Sequence, residues 1–159
     1  MRYVMLDKVT ELVVGERARG IKCVTLSDDV LHDHFPGYPV LPGVLVIEAA
    51  AQLAGFLLEC SNPPIAGETQ RRAVLAQIDK TKFYAPSQPG DRIELAAKIT
   101  GALDGAARVV VEASVEGRRV MRGQLTFMLR LIDSELVHAQ RRDLYRIWTR
   151  GLEQEIRIP

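Results

Sequence analysis

One stretch of the sequence combines a histidine, a glycine and a glutamate in an order that suits acid–base chemistry. His34 lies in a proline-rich segment, and histidine is the side chain best suited to act as a general base near pH 7. Glu48 interrupts an apolar run, where burial would favour the protonated carboxyl and let it act as a general acid. Gly43 stands where that run begins, and the first N–H groups of a helix point at developing negative charge. These residues predict proton abstraction beside a carbonyl with loss of a β-hydroxyl.

Two further residues are expected to contact the substrate. Val44 follows Gly43 at the start of the apolar run, and Gln52 follows Glu48 by four positions, so that Glu48 and Gln52 project from one helix face. Gln52 either orients Glu48 or bonds across a helix pair. Taken singly, His34 could be a loop histidine bonded to backbone and Glu48 a structural carboxylate. Their combination with Gly43 favours catalysis.

The elements that must position these residues are a loop and a helix. The segment from Asp28 to Gly43 contains three prolines and is predicted to be a loop. Val44–Glu59 is predicted to be a helix that is almost wholly apolar. A membrane span needs about 20 apolar residues, and this run is shorter and carries polar side chains. We therefore expect a buried central helix and no membrane span.

Alternating patterns and turn residues predict an antiparallel sheet around that helix. The predicted strands are Asp7–Val14, Arg17–Thr25, Ala73–Asp79, Arg92–Thr100, Arg108–Val115 and Arg119–Leu131. The predicted connections are a Gly15-Glu16 turn, a Ser61–Arg72 loop, a Leu103-Asp104-Gly105 turn and a Glu116-Gly117 turn. Two early strands, a buried helix and consecutive hairpins indicate an α+β domain.

The tail from residue 132 to 159 has a different pattern. Asp133 or Ser134 is expected to cap a helix that Gly151 ends. Its predicted apolar face consists of Leu144, Ile147 and Trp148. Its arginines, at positions 141, 142, 146 and 150, either steer an acidic partner protein or form a solvated face.

Composition excludes several classes of function. The chain has 159 residues and a formal net charge of +1, so that no overall field favours nucleic acid. Cys23 and Cys60 have no spacing suited to zinc, and the His32-Asp33-His34 triplet has no third ligand cluster nearby, so we predict no metal site. The charged N-terminal residues do not look like a signal peptide, and we expect reduced cysteines and a cytoplasmic location.

The sequence from His34 to Gln52, HFPGYPVLPGVLVIEAAAQ, closely resembles the signature of the beta-hydroxyacyl-ACP dehydratases of fatty acid synthesis, FabZ type. The resemblance continues in RYVMLDKVTELVVGERARGIKCVT and in KFYAPSQPGDRIEL, and covers roughly residues 2–130. The family usually has glycine where this chain has Asp33. Its stretch before PGD is usually more basic and apolar, whereas here Tyr84 and Ser87 are present.

The resemblance implies a hotdog fold over residues 1–131, with residues 132–159 as an extension. It implies that His34 is the catalytic base, that Glu48 is the acid, and that the Gly43 N–H binds the thioester carbonyl. It also implies a homodimer in which His34 and Glu48 of one site come from different subunits, often assembled as a hexamer (a trimer of dimers). The substrate would arrive on the phosphopantetheine of acyl carrier protein, with no other cofactor.

Fold alone does not decide function, and two alternatives stay open. A hotdog thioesterase would use a carboxylate without needing His34. A non-catalytic acyl-carrier-binding subunit would be expected to lack the base or the acid, and both are present here.

Overall fold

The computed structural model describes residues 3–64, 68–103 and 105–159. The strands are β1 (Lys8–Val13), β2 (Arg17–Cys23), β3 (Arg71–Phe83), β4 (Arg92–Leu103), β5 (Ala106–Val115) and β6 (Arg118–Leu131). The helices are α1 (Gly43–Ser61) and α2 (Glu135–Trp148), and a short 3-10 helix spans Asp29–His32.

The strands form one six-stranded sheet in the order β1-β2-β4-β5-β6-β3, and every neighbouring pair is antiparallel. The two outer strands are therefore β1 and β3. Tight turns make the hairpins possible: Glu116 and Gly117 both have positive φ (51° and 76°), the conformation of the turn that matches strand twist. The predicted turn at residues 103–105 and the loop after α1 include residues 104 and 65–67, which lie outside the described residues.

Helix α1 lies against the sheet and forms the centre of the core. Leu53, Phe56 and Leu57 of the helix are fully buried, as are Val109 and Leu125 of the sheet. By length and composition alone α1 could cross a membrane, but 72% of its most apolar stretch is buried within the fold. That is the pattern of a core helix. A long helix held by an antiparallel sheet is the hotdog architecture, and the predicted fold class is confirmed.

Strand β3 is longer than its sequence pattern predicts. The alternation stops at Asp79, but the strand continues to Phe83. Its pairing with β6 shifts between Asp79 and Lys82, and Lys80 takes a positive φ of 47°. A bulge of this kind breaks the two-residue period without ending the strand.

Helix α2 packs on the C-terminal half of α1. Ser134 is its N-cap, since its hydroxyl accepts a hydrogen bond from the Val137 N–H. The helix ends at Trp148, before the predicted Gly151. Its buried face is also different from the prediction, because Tyr145 is buried and Ile147 is 56% exposed.

Residues from α2 belong to the same core as α1 and the sheet. The rings of Tyr145 and Trp148 meet Phe56 of α1 edge-on, with centroids 5.0 and 6.4 Å from its ring. The division of the chain into a domain (1–131) and an extension (132–159) stays a prediction. The contacts show that the helix of the extension completes the apolar core instead of standing apart from it.

Candidate active site

His34 is oriented by its own loop. Its Nδ1 lies 2.7 Å from the carbonyl oxygen of Val40, and its own carbonyl accepts a hydrogen bond from the Val40 N–H. Because a carbonyl can only accept, Nδ1 carries a proton, and in the neutral ring Nε2 is then the nitrogen with the lone pair. The ring also stacks on Phe35, with centroids 4.1 Å apart. A half-buried imidazole held in this tautomer can accept a proton at Nε2.

A cavity of about 480 Å³ lies beside His34. Its walls come from the His34 loop, the start of α1, the segment after β3, and β6. They include His34, Val44, Phe83, Tyr84, Ser87 and Met121. Most of the lining is apolar, which suits an acyl chain. The Leu41 N–H donates to the carbonyl of Ser87 (2.8 Å) and ties the His34 loop to the segment after β3.

Gly43 is the first residue of α1 and also lines this cavity. A Cβ at this position would lie 2.7 Å from the ring of Phe83, so that any larger residue would displace that ring. Glycine at position 43 is therefore required by the close packing of the Phe83 ring against the start of α1. The first N–H groups of a helix have no partner within the helix. Val44, the next residue, is 67% exposed.

Glu48 and Gln52 form a second polar group on α1. The Gln52 amide donates to the Glu48 carboxylate (2.8 Å), and its oxygen accepts from the N–H groups of Met5 and Leu6 (2.9 and 3.2 Å). Gln52 therefore contacts Glu48 and anchors the N-terminal segment at the same time. The sequence left open whether Gln52 orients Glu48 or bonds across a helix pair. In the structure, Gln52 is hydrogen-bonded to Glu48.

The structure corrects one expectation about Glu48. The sequence predicts a buried carboxyl, but in one chain Glu48 is only half-buried. The reason is that α1 is not covered on all sides: Val44, Ile47 and Glu48 lie on a stripe of its N-terminal half that stays partly open. Glu48 also does not line the cavity of His34. A single chain therefore does not bring the predicted base and acid to one cavity.

The arginines of the tail lie away from this cavity. Helix α2 contacts α1 near Phe56 and Glu59, and Gly43 lies about 20–24 Å away along the helix axis at about 1.5 Å per residue. Arg142 pairs with Glu135, and Arg146 lies 3.2 Å from Asp143. Within one chain, α2 does not flank the mouth of the His34 cavity.

Residues 1–124 match the FabA-like domain family. The chain belongs to that family. The 3-hydroxyacyl-[acyl-carrier-protein] dehydratase FabZ of Enterococcus faecalis is 39% identical to this FabA-like protein over 127 residues, 80% of this chain and 87% of the relative. FabZ of Bacillus velezensis is 38% identical with the same coverage. The predicted FabZ-type membership is confirmed.

Solved structures agree with this FabA-like assignment at the level of the fold. A sigma28-regulated virulence protein from Campylobacter jejuni superposes with a TM-score of 0.58 at 20% identity, covering 84% of this chain and 82% of that chain. A Streptococcus mutans protein bound to acetyl CoA gives 0.60 at 15% identity, covering 77% and 86%. At this level of identity the likeness shows the fold alone.

Several residues of the cavity could not be assigned a role from the sequence. Phe83 and Met121 lie on strands whose pairing across the sheet no local pattern reveals. Tyr84 and Ser87 are visible in the sequence as departures from the family pattern, and that departure was the only signal that marked them. Among the described residues, no group of three or more His, Cys, Asp or Glu side chains is arranged to hold a metal ion.

Proposed function

We propose that this protein dehydrates a 3-hydroxyacyl thioester, carried by acyl carrier protein, to the trans-2-enoyl thioester in fatty acid or related acyl-chain biosynthesis in the cytoplasm. The observation that carries the proposal is the tautomer and place of His34. With Nδ1 bonded to the Val40 carbonyl, Nε2 has no hydrogen-bond partner among the described residues, and the side chain lines a mostly apolar cavity beside the N-terminus of α1. The only group the reaction needs besides the protein is the phosphopantetheine that carries the substrate.

The proposed chemistry uses one base, one acid and one backbone donor. Nε2 of His34 removes a proton from C2, and the charge that develops on the thioester oxygen is stabilised by the N–H of Gly43. Glu48 gives a proton to the C3 hydroxyl, which leaves as water while the C2–C3 double bond forms. One proton is gained by His34 and one is lost by Glu48, so that proton exchange with solvent restores both groups. Val44 lines the acyl path and Gln52 orients Glu48.

We propose that the base and the acid of one active site come from two different chains. Within one chain Glu48 does not line the cavity of His34. Strand β3 is an outer strand of the sheet, and its side chains Val74 and Ile78 are 46% and 47% exposed. An exposed apolar outer strand is suited to pair with another copy. We propose a homodimer in which His34 faces Glu48 of the partner subunit, with a trimer of dimers as the higher assembly.

The test is complementation between two inactive variants. His34→Ala and Glu48→Gln should each reduce dehydration of a 3-hydroxyacyl-ACP by about 10²–10⁴-fold. After mixing under conditions of subunit exchange, a mixed dimer regains one intact site and activity should return. Mixing His34→Ala with a His34→Ala/Glu48→Gln double variant is the matched control, because no intact site can form.

Three outcomes count against the proposal. Near wild-type turnover in either single variant would remove that residue from the mechanism. No recovery despite verified exchange would place both residues in one chain. Hydrolysis of the thioester, with no enoyl product, would favour a thioesterase.

A further inference from the structure

Lys22 is a buried cation that takes no part in the proposed chemistry. It lies on β2, and only 7% of it is exposed. Its ammonium donates to the carbonyl of Cys23 (2.6 Å) and lies 3.7 Å from a carboxylate oxygen of Asp7 and 3.8 Å from one of Asp28. Lysines are seldom buried unless they are paired, and well-packed apolar side chains often stabilise a core at least as well as a buried ion pair. The cluster is therefore better explained by where it holds the two carboxylates than by the stability it adds.

Asp28 connects Lys22 to the proposed base. The Asp28 carbonyl accepts a hydrogen bond from the Leu31 N–H (3.0 Å), which is the first bond of the 3-10 helix before His34. Within that helix, the Val30 carbonyl accepts a hydrogen bond from the N–H of His34 (3.2 Å). Lys22 thus holds the start of the segment that ends at the base.

Asp7 connects Lys22 to the proposed acid. Its carboxylate accepts a hydrogen bond from the backbone of β2 (2.6 Å), and its N–H donates one to the backbone of β2 (2.9 Å). The preceding residue, Leu6, donates its N–H to the side-chain oxygen of Gln52 (3.2 Å). The amide of Gln52 in turn donates to the carboxylate of Glu48 (2.8 Å). Lys22 thus also holds the segment that anchors the partner of the acid.

The cluster lies next to the cavity of the base. Lys22 and Asp28 line a depression of about 220 Å³, together with Leu41 and Leu45. Leu41 also lines the cavity of His34. A shift of the cluster therefore reaches the wall of that cavity through a single residue.

We propose that Lys22 is a positioning residue that sets the base through Asp28 and the acid through Asp7. The inference rests on the proposed function. That function places His34 and Glu48 of one chain in two different active sites of a dimer. Each Lys22 therefore serves the base of one site and the acid of the other, so that the two sites are linked through the same cation.

The test uses mixed dimers that contain one active site. The base chain keeps His34 and carries Glu48→Gln, and the acid chain keeps Glu48 and carries His34→Ala. Asp28→Asn should lower kcat on the base chain and not on the acid chain, and Asp7→Asn should do the reverse. Lys22→Met should lower kcat on either chain. Since a misplacement of about 1 Å can cost about 10²-fold, we expect losses of roughly 5- to 100-fold, with KM changed by less than about twofold.

The control variants separate charge from packing. Replacing aspartate by asparagine keeps the size of the side chain and an oxygen that can accept the same backbone hydrogen bonds, so that only the charge is lost. Asp28→Glu keeps the charge and should retain more activity than Asp28→Asn. Arg19→Met is the matched control for Lys22→Met, because Arg19 lies on the same strand and 3.6 Å from Glu11, but its side chain is 65% exposed. It should change neither kcat nor KM.

Nuclear magnetic resonance can detect the same connections without turnover. The ring nitrogen signals of His34 should shift in Asp28→Asn, and the side-chain amide signals of Gln52 should shift in Asp7→Asn. Lys22→Met should shift both sets, and Arg19→Met should shift neither. His34→Ala and Gln52→Ala assign the signals.

Two results would overturn the inference. If Asp28→Asn and Asp7→Asn lower kcat equally on either chain, or only as far as they lower the melting temperature, the cluster has a structural role alone. If Lys22→Met keeps the kcat of the parent mixed dimer and leaves both sets of signals in place, the cluster positions neither group. Failure of the proposed function gives a different result, because the parent mixed dimer would then form no enoyl product. The resonance comparison would still decide whether Lys22 holds both segments.

Discussion

Helix α1 carries one glutamate near each end, and their surroundings are opposite. Glu59, near the C-terminal end, is 1% exposed. Its carboxylate accepts hydrogen bonds from Arg72 and Tyr145, both at 2.6 Å. Glu48, near the N-terminal end, is half-buried and is bonded by the amide of Gln52.

The network around Glu59 continues into α2. The Ala73 N–H donates to the second oxygen of Glu59 (3.0 Å), and Arg72 Nε donates to Nδ1 of His138 (3.0 Å). The other ring nitrogen of His138 lies 2.8 Å from the Ile132 carbonyl, which can only accept, so this nitrogen carries the proton. Burial and the neighbouring Glu59 carboxylate raise the pKa of Tyr145 well above its usual value.

The difference teaches how to separate structural from functional polar groups in this molecule. At the C-terminal end of α1 the buried charges are paired with each other, and their removal is expected to harm stability. Unpaired buried atoms occur at both ends, since one Nη of Arg72 has no partner among the described residues. At the N-terminal end, however, Nε2 of His34 and the N–H groups of Gly43 and Val44 have no partner among the described residues and belong to residues that line the cavity. These groups contribute little to the fold and are available to a ligand.

The largest expected effect comes from the same substitution at the two glutamates. Glu48→Gln should reduce turnover by about 10²–10⁴-fold and change the free energy of unfolding by less than about 1 kcal/mol. Glu59→Gln should lower the free energy of unfolding by about 3–5 kcal/mol, because it leaves the charge of Arg72 buried without a counter-ion. Urea denaturation and initial rates on both proteins measure the contrast. A stability loss of similar size in both variants would contradict it.

The aromatic contact between α2 and α1 is the next test. Trp148→Ala should cost about 3–5 kcal/mol of unfolding free energy, because Trp148 is 1% exposed and packs on Phe56 and Tyr145. Its neighbour Ile147 is 56% exposed, so that Ile147→Ala is the matched control and should stay within about 0.5 kcal/mol of wild type. Equal losses in the two variants would mean that α2 does not pack as described.

Two glycines of α1 offer a smaller comparison. Gly43→Ala should cost about 1–3 kcal/mol and reduce activity, because its Cβ would lie 2.7 Å from the Phe83 ring in the cavity wall. Adding Phe83→Leu should relieve part of the stability loss. Gly55→Ala, whose Cβ would meet only the Ala73 Cβ at 3.8 Å, should stabilise the helix by about 0.5–1 kcal/mol. If Gly43→Ala changes neither stability nor activity, the close packing of the Phe83 ring is not the reason that residue 43 is a glycine.

Much of the fold can be predicted from the sequence because its signals are local. The alternation in β5 and β6, the apolar run of α1 and the cap at Ser134 each depend on neighbouring residues. The extension of β3 past Asp79 could not be predicted, because a bulge hides the two-residue period. The exposure of Ile147 was also not predictable from helix periodicity, since it depends on where α2 docks.

The candidate site divides in the same way. His34, Gly43 and Glu48 are recognisable because their types and order suit one reaction. Ser87 and Glu59 are not, because the meaning of each depends on distant partners: Glu59 has Arg72 and Tyr145, and the Ser87 hydroxyl has none among the described residues. Sequence neighbours do not reveal whether a polar group is paired in the fold.

The smallest expected effect concerns the two cysteines, one on the surface and one at the paired end of α1. Cys23 is exposed, whereas Cys60 is buried, and its burial together with the adjacent Glu59 carboxylate raises the pKa of the thiol to about 12. Since the thiolate is the species that reacts with iodoacetamide, the native protein at pH 8 should be labelled at Cys23 and not at Cys60. Cys23→Ser should abolish labelling, Cys60→Ala should leave it unchanged, and denaturant should expose the second thiol.

Trp148→Ala, which loosens the same end of the helix, should make Cys60 reactive without denaturant. Native labelling of Cys60 at the rate of Cys23 would show that this end of α1 opens easily, and would contradict the contrast between its two ends.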